Sequence, residues 1–320
     1  MFEARSQKDD GVGLGSSLMS PWPHRLAVLL AGATFPLLFI GGLVTSLGAG
    51  LAVPDWPTTF GYNMFLYPWS KMIGGIFYEH SHRLVASTVG LLTIALTLSF
   101  WFQEKRQWLR WLGVVALALV ILQGVLGGLR VVLVQQTLAM IHACLAQAFF
   151  ALTVSLALFT SAEWRTAPGR AIGDGGRLKR LAMITTGLIY LQIIFGALLR
   201  HSGTRLDAHL ILAALVAIHV ALLLLRLSRS HRDRPGLLRP GYILAALLLV
   251  QLLLGGLSYL TKFTAMLPGL NGAVVLLTTT HLITGALMLA ASLIVALRTS
   301  RSSIATESAE LAALTEQYSL

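Results

Sequence analysis

Residues 79–100 read EHSHRLVASTVGLLTIALTLSF: Glu79, His80, Ser81, His82 and Arg83 lead directly into an apolar run from Leu84 to Phe100. The run is long enough, with the residues just before it, to form a membrane-crossing helix. Ionisable side chains at the mouth of such a helix are costly in hydrocarbon and mark functional positions.

The rest of the chain has the same character. Of its 320 residues 56% are hydrophobic and 12% charged, and the mean hydropathy is +0.75. That charged fraction is about half that of a soluble globular domain, so the class is polytopic membrane protein. About 20 apolar residues are needed to cross a bilayer. Eight stretches meet this need, at about 26–44, 75–101, 109–130, 137–160, 180–199, 207–227, 240–260 and 273–297. The expected fold is all-α, with eight transmembrane helices. The single cysteine, Cys144, lies in an apolar stretch, so neither a disulfide framework nor a cysteine metal site is available.

The net charge of +11 reflects loop cations that set topology, and nothing points to nucleic acid. With the N-terminus placed inside, 18 of the 24 Lys and Arg residues fall on the inner side, Arg83 lies within a span, and Lys71, Arg130, Arg200, Arg205 and Lys262 lie outside. The positive-inside rule then puts both termini in the cytoplasm. The N-terminal segment is polar, too acidic for a transit peptide, and no cleavable signal precedes the first span. The expectation is a multi-pass protein of a bacterial inner (plasma) membrane.

The chain also repeats. The third span ends QGVLGGL (123–129), the seventh QLLLGGL (251–257), the fifth carries QIIFGAL (192–198) and the first FIGGL (39–43). Beyond them, TSLGAG (45–50) lines up with RHSGTR (200–205). Glycine is common where membrane helices pack closely, but four small-residue pairs in register favour a duplication. The expected organisation is an N-terminal tail over 1–24, tandem four-helix bundles over 25–165 and 166–298, and a C-terminal tail over 299–320.

Nine histidines are present. His24 and His231 fall in cytoplasmic segments, His201 in an outer loop and His219 deep in the sixth span. His82, His142, His209 and His281 each lie near the start of an even span, roughly 3–12 Å below the outer boundary at 1.5 Å rise per residue. The repeat pairs His82 with His209 and His142 with His281. Two imidazoles on facing helices of an apolar bundle suit the axial positions of a haem, with Arg83, Arg130, Arg200, Arg205 and Lys262 on the same side for the propionates. Zinc wants four ligands, and iron or copper without porphyrin wants carboxylates or thiolates. Glu79 sits three residues before His82, on one face. At the matching place in the second half stands Leu206, with Asp207 beside it, and Leu210 stands for Arg83. Glu79 either pairs structurally with Arg83 at i+4 or serves a reaction through proton transfer or charge stabilisation. The long outer loop 45–72, rich in Trp, Tyr, Phe and Pro, is either a lid on that site or an interfacial anchor.

EHSHR (79–83), GGLVTSLGAGLAVPDWP (41–57), eight spans in two halves and four placed histidines together resemble the haem A synthase family, the cytochrome oxidase assembly proteins that make haem A from haem O. The resemblance covers about residues 25–297. It implies a haem b held as cofactor by His209 and His281, and haem O as substrate bordered by His82, His142 and Arg83. It makes Glu79 a catalytic carboxylate and the reaction a stepwise oxidation of a porphyrin methyl to a formyl group. It implies the farnesyltransferase that supplies haem O as a partner and an electron donor of unknown identity; a homo-oligomer is compatible with it. Two departures are visible: the first outer loop lacks the cysteine pair many members carry, and Leu210 follows His209 where an arginine is frequent. A non-catalytic dihaem b-type cytochrome would use the histidines without the carboxylate asymmetry. A transporter with parallel repeats would use the histidines as a substrate or proton path.

Overall fold

The computed structural model describes residues 20–166, 175–264 and 271–317. The first part of the N-terminal tail (1–19), the junction of the two expected halves (167–174) and residues 318–320 lie outside them. Nine helices are described: α1 Trp22–Ser46, α2 Gly74–Gln103, α3 Gln107–Val132, α4 Gln136–Thr160, a short α5 Ala162–Thr166, α6 Gly175–Ser202, α7 Leu206–Ser230, α8 Pro235–Phe263 and α9 Asn271–Gln317. All but α5 are long and apolar enough to cross a membrane. They correspond to the eight expected spans.

Local chemistry sets the ends. Pro21 caps α1 and Pro23 lies in its first turn, and Pro235 opens α8; proline is tolerated there because the first N–H groups have no partner in the helix. Gly48 (φ +65°) turns the chain after α1, and Gly74 (φ +55°) starts α2, conformations open to glycine at no steric cost. Inside the spans, hydroxyls bond their own helix, as Thr34 to the Leu30 carbonyl (2.7 Å) and Thr93 to that of Val89 (2.8 Å), so no polar group of theirs faces hydrocarbon alone. The polar segment after Thr299, expected as a tail, continues α9 as helix to Gln317.

The helices close into two rings. α1 packs on α2, α2 on α3, α3 on α4 and α4 back on α1; α6, α7, α8 and α9 do the same. The first and last helix of each ring, α1 and α4 against α6 and α9, form the seam. Each ring has its own core, with Leu30, Leu96, Phe100 and Leu156 in the first and Leu178, Leu223, Leu227 and Leu244 in the second. A third cluster, Leu38, Phe150, Ile283, Ala286 and Ala290, fills the seam. Thus the repeat read from glycine pairs is realised as two four-helix bundles side by side.

Candidate functional site

The four histidines sit in equivalent places. Each imidazole lies against a glycine on the preceding helix: His82 on Gly41, His142 on Gly127, His209 on Gly196 and His281 on Gly255. A Cβ at those glycines would stand 3.0, 3.3, 3.2 and 3.1 Å from the ring Cε1, so the missing side chain is what lets the ring in. In each case it is the first residue of the small pair noted in the sequence.

Within each bundle the two histidines come together. The His209 and His281 ring centroids are 6.4 Å apart, at 68° between planes, and His82 and His142 are electrostatic neighbours. Nδ1 of His82, His209 and His281 is buried without a hydrogen-bond partner among the described residues. Paired, desolvated imidazoles with free ring nitrogens are a donor set for iron in a flat apolar macrocycle, and the residues present fit a haem. No cluster of three or more His, Cys, Asp or Glu residues able to hold a bare metal ion occurs among the described residues.

Cations stand at the same end. Arg130, in the last turn of α3, donates to the Gly50 carbonyl (3.0 Å). Arg200 of α6 spans the seam, donating to the Gly42 carbonyl (2.7 Å), Ser46 Oγ (2.6 Å) and the Thr278 carbonyl (3.3 Å). His201, expected in a loop, is in the last turn of α6, where its charge would be felt at His142.

The remaining members of EHSHR turn to the loop 47–73. Glu79, 2% exposed, accepts the Val53 N–H (2.9 Å) and pairs with Arg83 (3.1 Å). The Arg83 guanidinium donates to the carbonyls of Asp55 (2.7 Å), Thr58 (3.0 Å) and Val53 (2.9 Å). So the i+4 ion pair considered from the sequence exists, and it is part of a clasp. His80, 1% exposed, meets Thr59 Oγ1 through Nδ1 (3.1 Å) and packs under Tyr67 (ring centroids 5.2 Å). Phe60 stacks on Tyr67 in turn, and Tyr62 meets it edge-on. Asp55 closes the turn by accepting from Thr58 Oγ1 and the N–H groups of Phe60 and Gly61. Trp56 lies on Gly128 of α3, the second glycine of that pair. The loop is thereby folded onto the histidine end of the first bundle, and its outer residues Phe65, Leu66, Trp69 and Ile73 are exposed. Among the described residues the second bundle has no counterpart: three residues join α6 to α7, and Asp207 is exposed.

Sequence reasoning named the histidines, Glu79 and Arg83. It missed the glycines as seats for the rings and the clasp of Arg83 on the loop. The register of the small pairs carried a signal for the first; the clasp depends on a folded loop and had none.

Known proteins match this chain where the site begins. Residues 69–208 match the family described as Cytochrome oxidase assembly protein. The segment holds Glu79, His82, Arg83 and His142 and stops just before His209. Three curated relatives are named "Heme A synthase". That of Shouchella clausii is 30% identical over 57% of this chain and 60% of its own length. That of Geobacillus kaustophilus is 25% identical over 72% of this chain and 81% of its own. That of Brucella anthropi is 31% identical over 46% and 41%. The match therefore spans less than two thirds of the first relative's length. These matches bear out the resemblance read from the motifs.

Proposed function

We propose, from the premise that this chain is a relative of the cytochrome oxidase assembly proteins, that it is a haem A synthase of a bacterial plasma membrane. Its reaction is the stepwise oxidation of a porphyrin methyl of haem O to a formyl group. The observation that carries the reading is the asymmetry of two otherwise equivalent histidine pairs: among the described residues only the first has a buried carboxylate beside it and a loop folded over it.

In this reading the first bundle, residues 25–165, is the substrate half. His82 and His142 border haem O, and the apolar helices admit its farnesyl chain from the bilayer. Glu79 is the reactive carboxylate, aimed by Arg83 and the Val53 N–H. Arg83 serves the site through the loop, which keeps water from it. The second bundle, residues 166–298, is the resident half. A haem b on His209 and His281 would relay the electrons that an external oxidant, dioxygen, takes up with two protons in each hydroxylation, one oxygen atom going to the methyl carbon and the other leaving as water. Both termini are cytoplasmic by the distribution of Lys and Arg, so both sites face the outer side. The haem O farnesyltransferase delivers the substrate, and a separate electron donor recharges the site.

Expression with and without a haem O source, followed by haem extraction, tests the proposal. Haem A is expected only with haem O, and haem b in both conditions. Haem b in both sites with no conversion would identify an electron-carrying cytochrome instead. A stable protein purified free of haem would overturn both.

A further inference from the structure

The seats of the four imidazoles differ at one position. Four residues before each seating glycine, one turn back on the same helix, stand Leu37, Gln123, Gln192 and Gln251. Four residues after each histidine stands a small residue, Ala86, Ala146, Ala213 or Gly285. The Gln192 amide reaches His209 Nε2 (3.3 Å), and the Gln251 amide reaches His281 Nε2 (3.3 Å). With its amide turned to satisfy both ends, Gln123 donates to His142 Nδ1 (2.8 Å) and accepts from the Ala146 N–H (3.0 Å). Oε1 of Gln192 and of Gln251 is buried without a partner, so either amide can rotate to accept from a ring N–H. His82 has Leu37 in this place, and among the described residues no side chain hydrogen-bonds to it. Its ring keeps the main-chain hydrogen bond to Leu37 that the other three rings keep to Gln123, Gln192 and Gln251, without the added side chain.

We infer that Gln123, Gln192 and Gln251 are positioning residues that add a side-chain hold to three of the four imidazoles, and that Leu37 leaves His82, held by main chain alone, as the ligand built to let go. The inference rests on the haem reading above. A metal-ligating histidine is held in orientation, and its basicity raised, by a partner on its other ring nitrogen; loss of that partner typically costs about 10- to 100-fold in metal affinity. Three rings held by main chain and glutamine and one held by main chain alone suit a protein that must keep one haem and exchange another. The less firmly held ring lies in the bundle that has the loop and Glu79, where a substrate has to enter and a product leave. His142, on the opposite side of that site, keeps its glutamine and so retains the bound haem in register while His82 opens.

The test uses the full chain in nanodiscs, loaded with two equivalents of haemin and mixed with excess apomyoglobin. Haem transfer is followed in the Soret band. The unaltered protein should release haem in two phases, one fast and one slow. Leu37→Gln should slow the fast phase about tenfold or more, and Gln251→Leu should speed the slow phase by a similar factor. Gln123→Leu, which changes the first bundle without adding a polar group, should speed the fast phase and serves if Leu37→Gln does not assemble. A role through the ligand also predicts opposite movements of the slow haem's midpoint potential: lower in Gln251→Glu, whose carboxylate accepts more strongly from the ring N–H, and higher in Gln251→Leu. A packing role alone would move both the same way. A single release phase in the unaltered protein, or rates indifferent to Leu37→Gln and Gln123→Leu, would overturn the inference. Failure to bind two haemins at all would instead overturn the reading on which it rests.

Discussion

The histidine ends of the two bundles are built from one plan and finished differently. Both present two imidazoles seated on glycines. In the second bundle α6 passes to α7 through residues 203–205 alone, with Gly203 and Arg205 at φ +71° and +66°. In the first, 27 residues (47–73) separate α1 from α2 and fold back as a cap. The polar groups follow the cap: Glu79, His80 and Arg83 are all engaged by it, and the equivalent region of α7 offers an exposed Asp207 and an exposed Leu210. A site that only stores a cofactor needs ligands and a dry pocket. One that transforms a substrate needs in addition a poised charge and control of water. The difference between the ends is this addition.

The comparison breaks most sharply at Glu79. Glu79→Gln keeps the size of the side chain and an acceptor for the Val53 N–H, but removes the charge that faces Arg83. Haem A formation should be abolished, while haem bound by the second bundle is unchanged in the reduced-minus-oxidised spectrum. Glu79→Ala should add loop damage, since an abandoned buried arginine costs about 3–5 kcal/mol. Full turnover in Glu79→Gln would make the carboxylate a clasp and nothing more.

The glycine seats come next. Gly255→Ala puts a Cβ 3.1 Å from the His281 ring and Gly41→Ala one 3.0 Å from that of His82. Overpacking of this kind costs about 1–3 kcal/mol, roughly a five- to 100-fold loss in affinity. Gly255→Ala should therefore lower the haem b content of the purified protein. Gly41→Ala should leave that content intact and raise the haem O concentration needed for half-maximal conversion. If the two variants behave alike, the halves are not specialised as proposed.

Gly128→Ala sharpens the comparison further, with a smaller effect. Its Cβ would fall within the Trp56 indole, so the cap must shift while no histidine seat is touched. Conversion should drop several-fold with both haem affinities retained. An unchanged rate would show that the cap's seat on α3 does not matter to the chemistry.

Much of this was legible in the sequence because it is periodic or compositional. Apolar length gave the eight spans, and the position of a histidine within a span gave its level along the bundle. The small pairs 41–42, 127–128, 196–197 and 255–256 gave the two halves. What was not legible depends on contacts between segments with no common period. Arg83 looked free for a propionate because nothing local shows that three loop carbonyls converge on it. Gln123, Gln192 and Gln251 registered as markers of the repeat, but their contacts with His142, His209 and His281 exist only once neighbouring helices are packed. His201 was read as a loop residue because the apolar run ends before it, yet α6 runs on to Ser202.

The weakest lever on the contrast is pH, acting on the cap through Asp55. Partial burial pushes the Asp55 carboxyl up, but the Gly61 N–H, the Thr58 hydroxyl and the Phe60 N–H outweigh it and hold the pKa down to about 2, against an ordinary 3.8. The lowered value means the folded turn favours the ionised form, so its contribution is complete above about pH 4 and fades as pH falls toward 2. Between neutrality and pH 4 the Asp55 turn should be indifferent to acid. Below that, a 19F resonance of 5-fluorotryptophan at Trp56, assigned by its loss in Trp56→Phe, should shift along a titration centred near pH 2. In Asp55→Asn that titration should vanish, and the resonance should already be displaced at neutral pH, since a neutral amide accepts more weakly than a carboxylate. The second bundle, which has no such turn, should keep its haem spectrum through the part of the range where the whole protein stays folded. Persistence of the same titration in Asp55→Asn would mean that the Asp55 turn does not hold the cap.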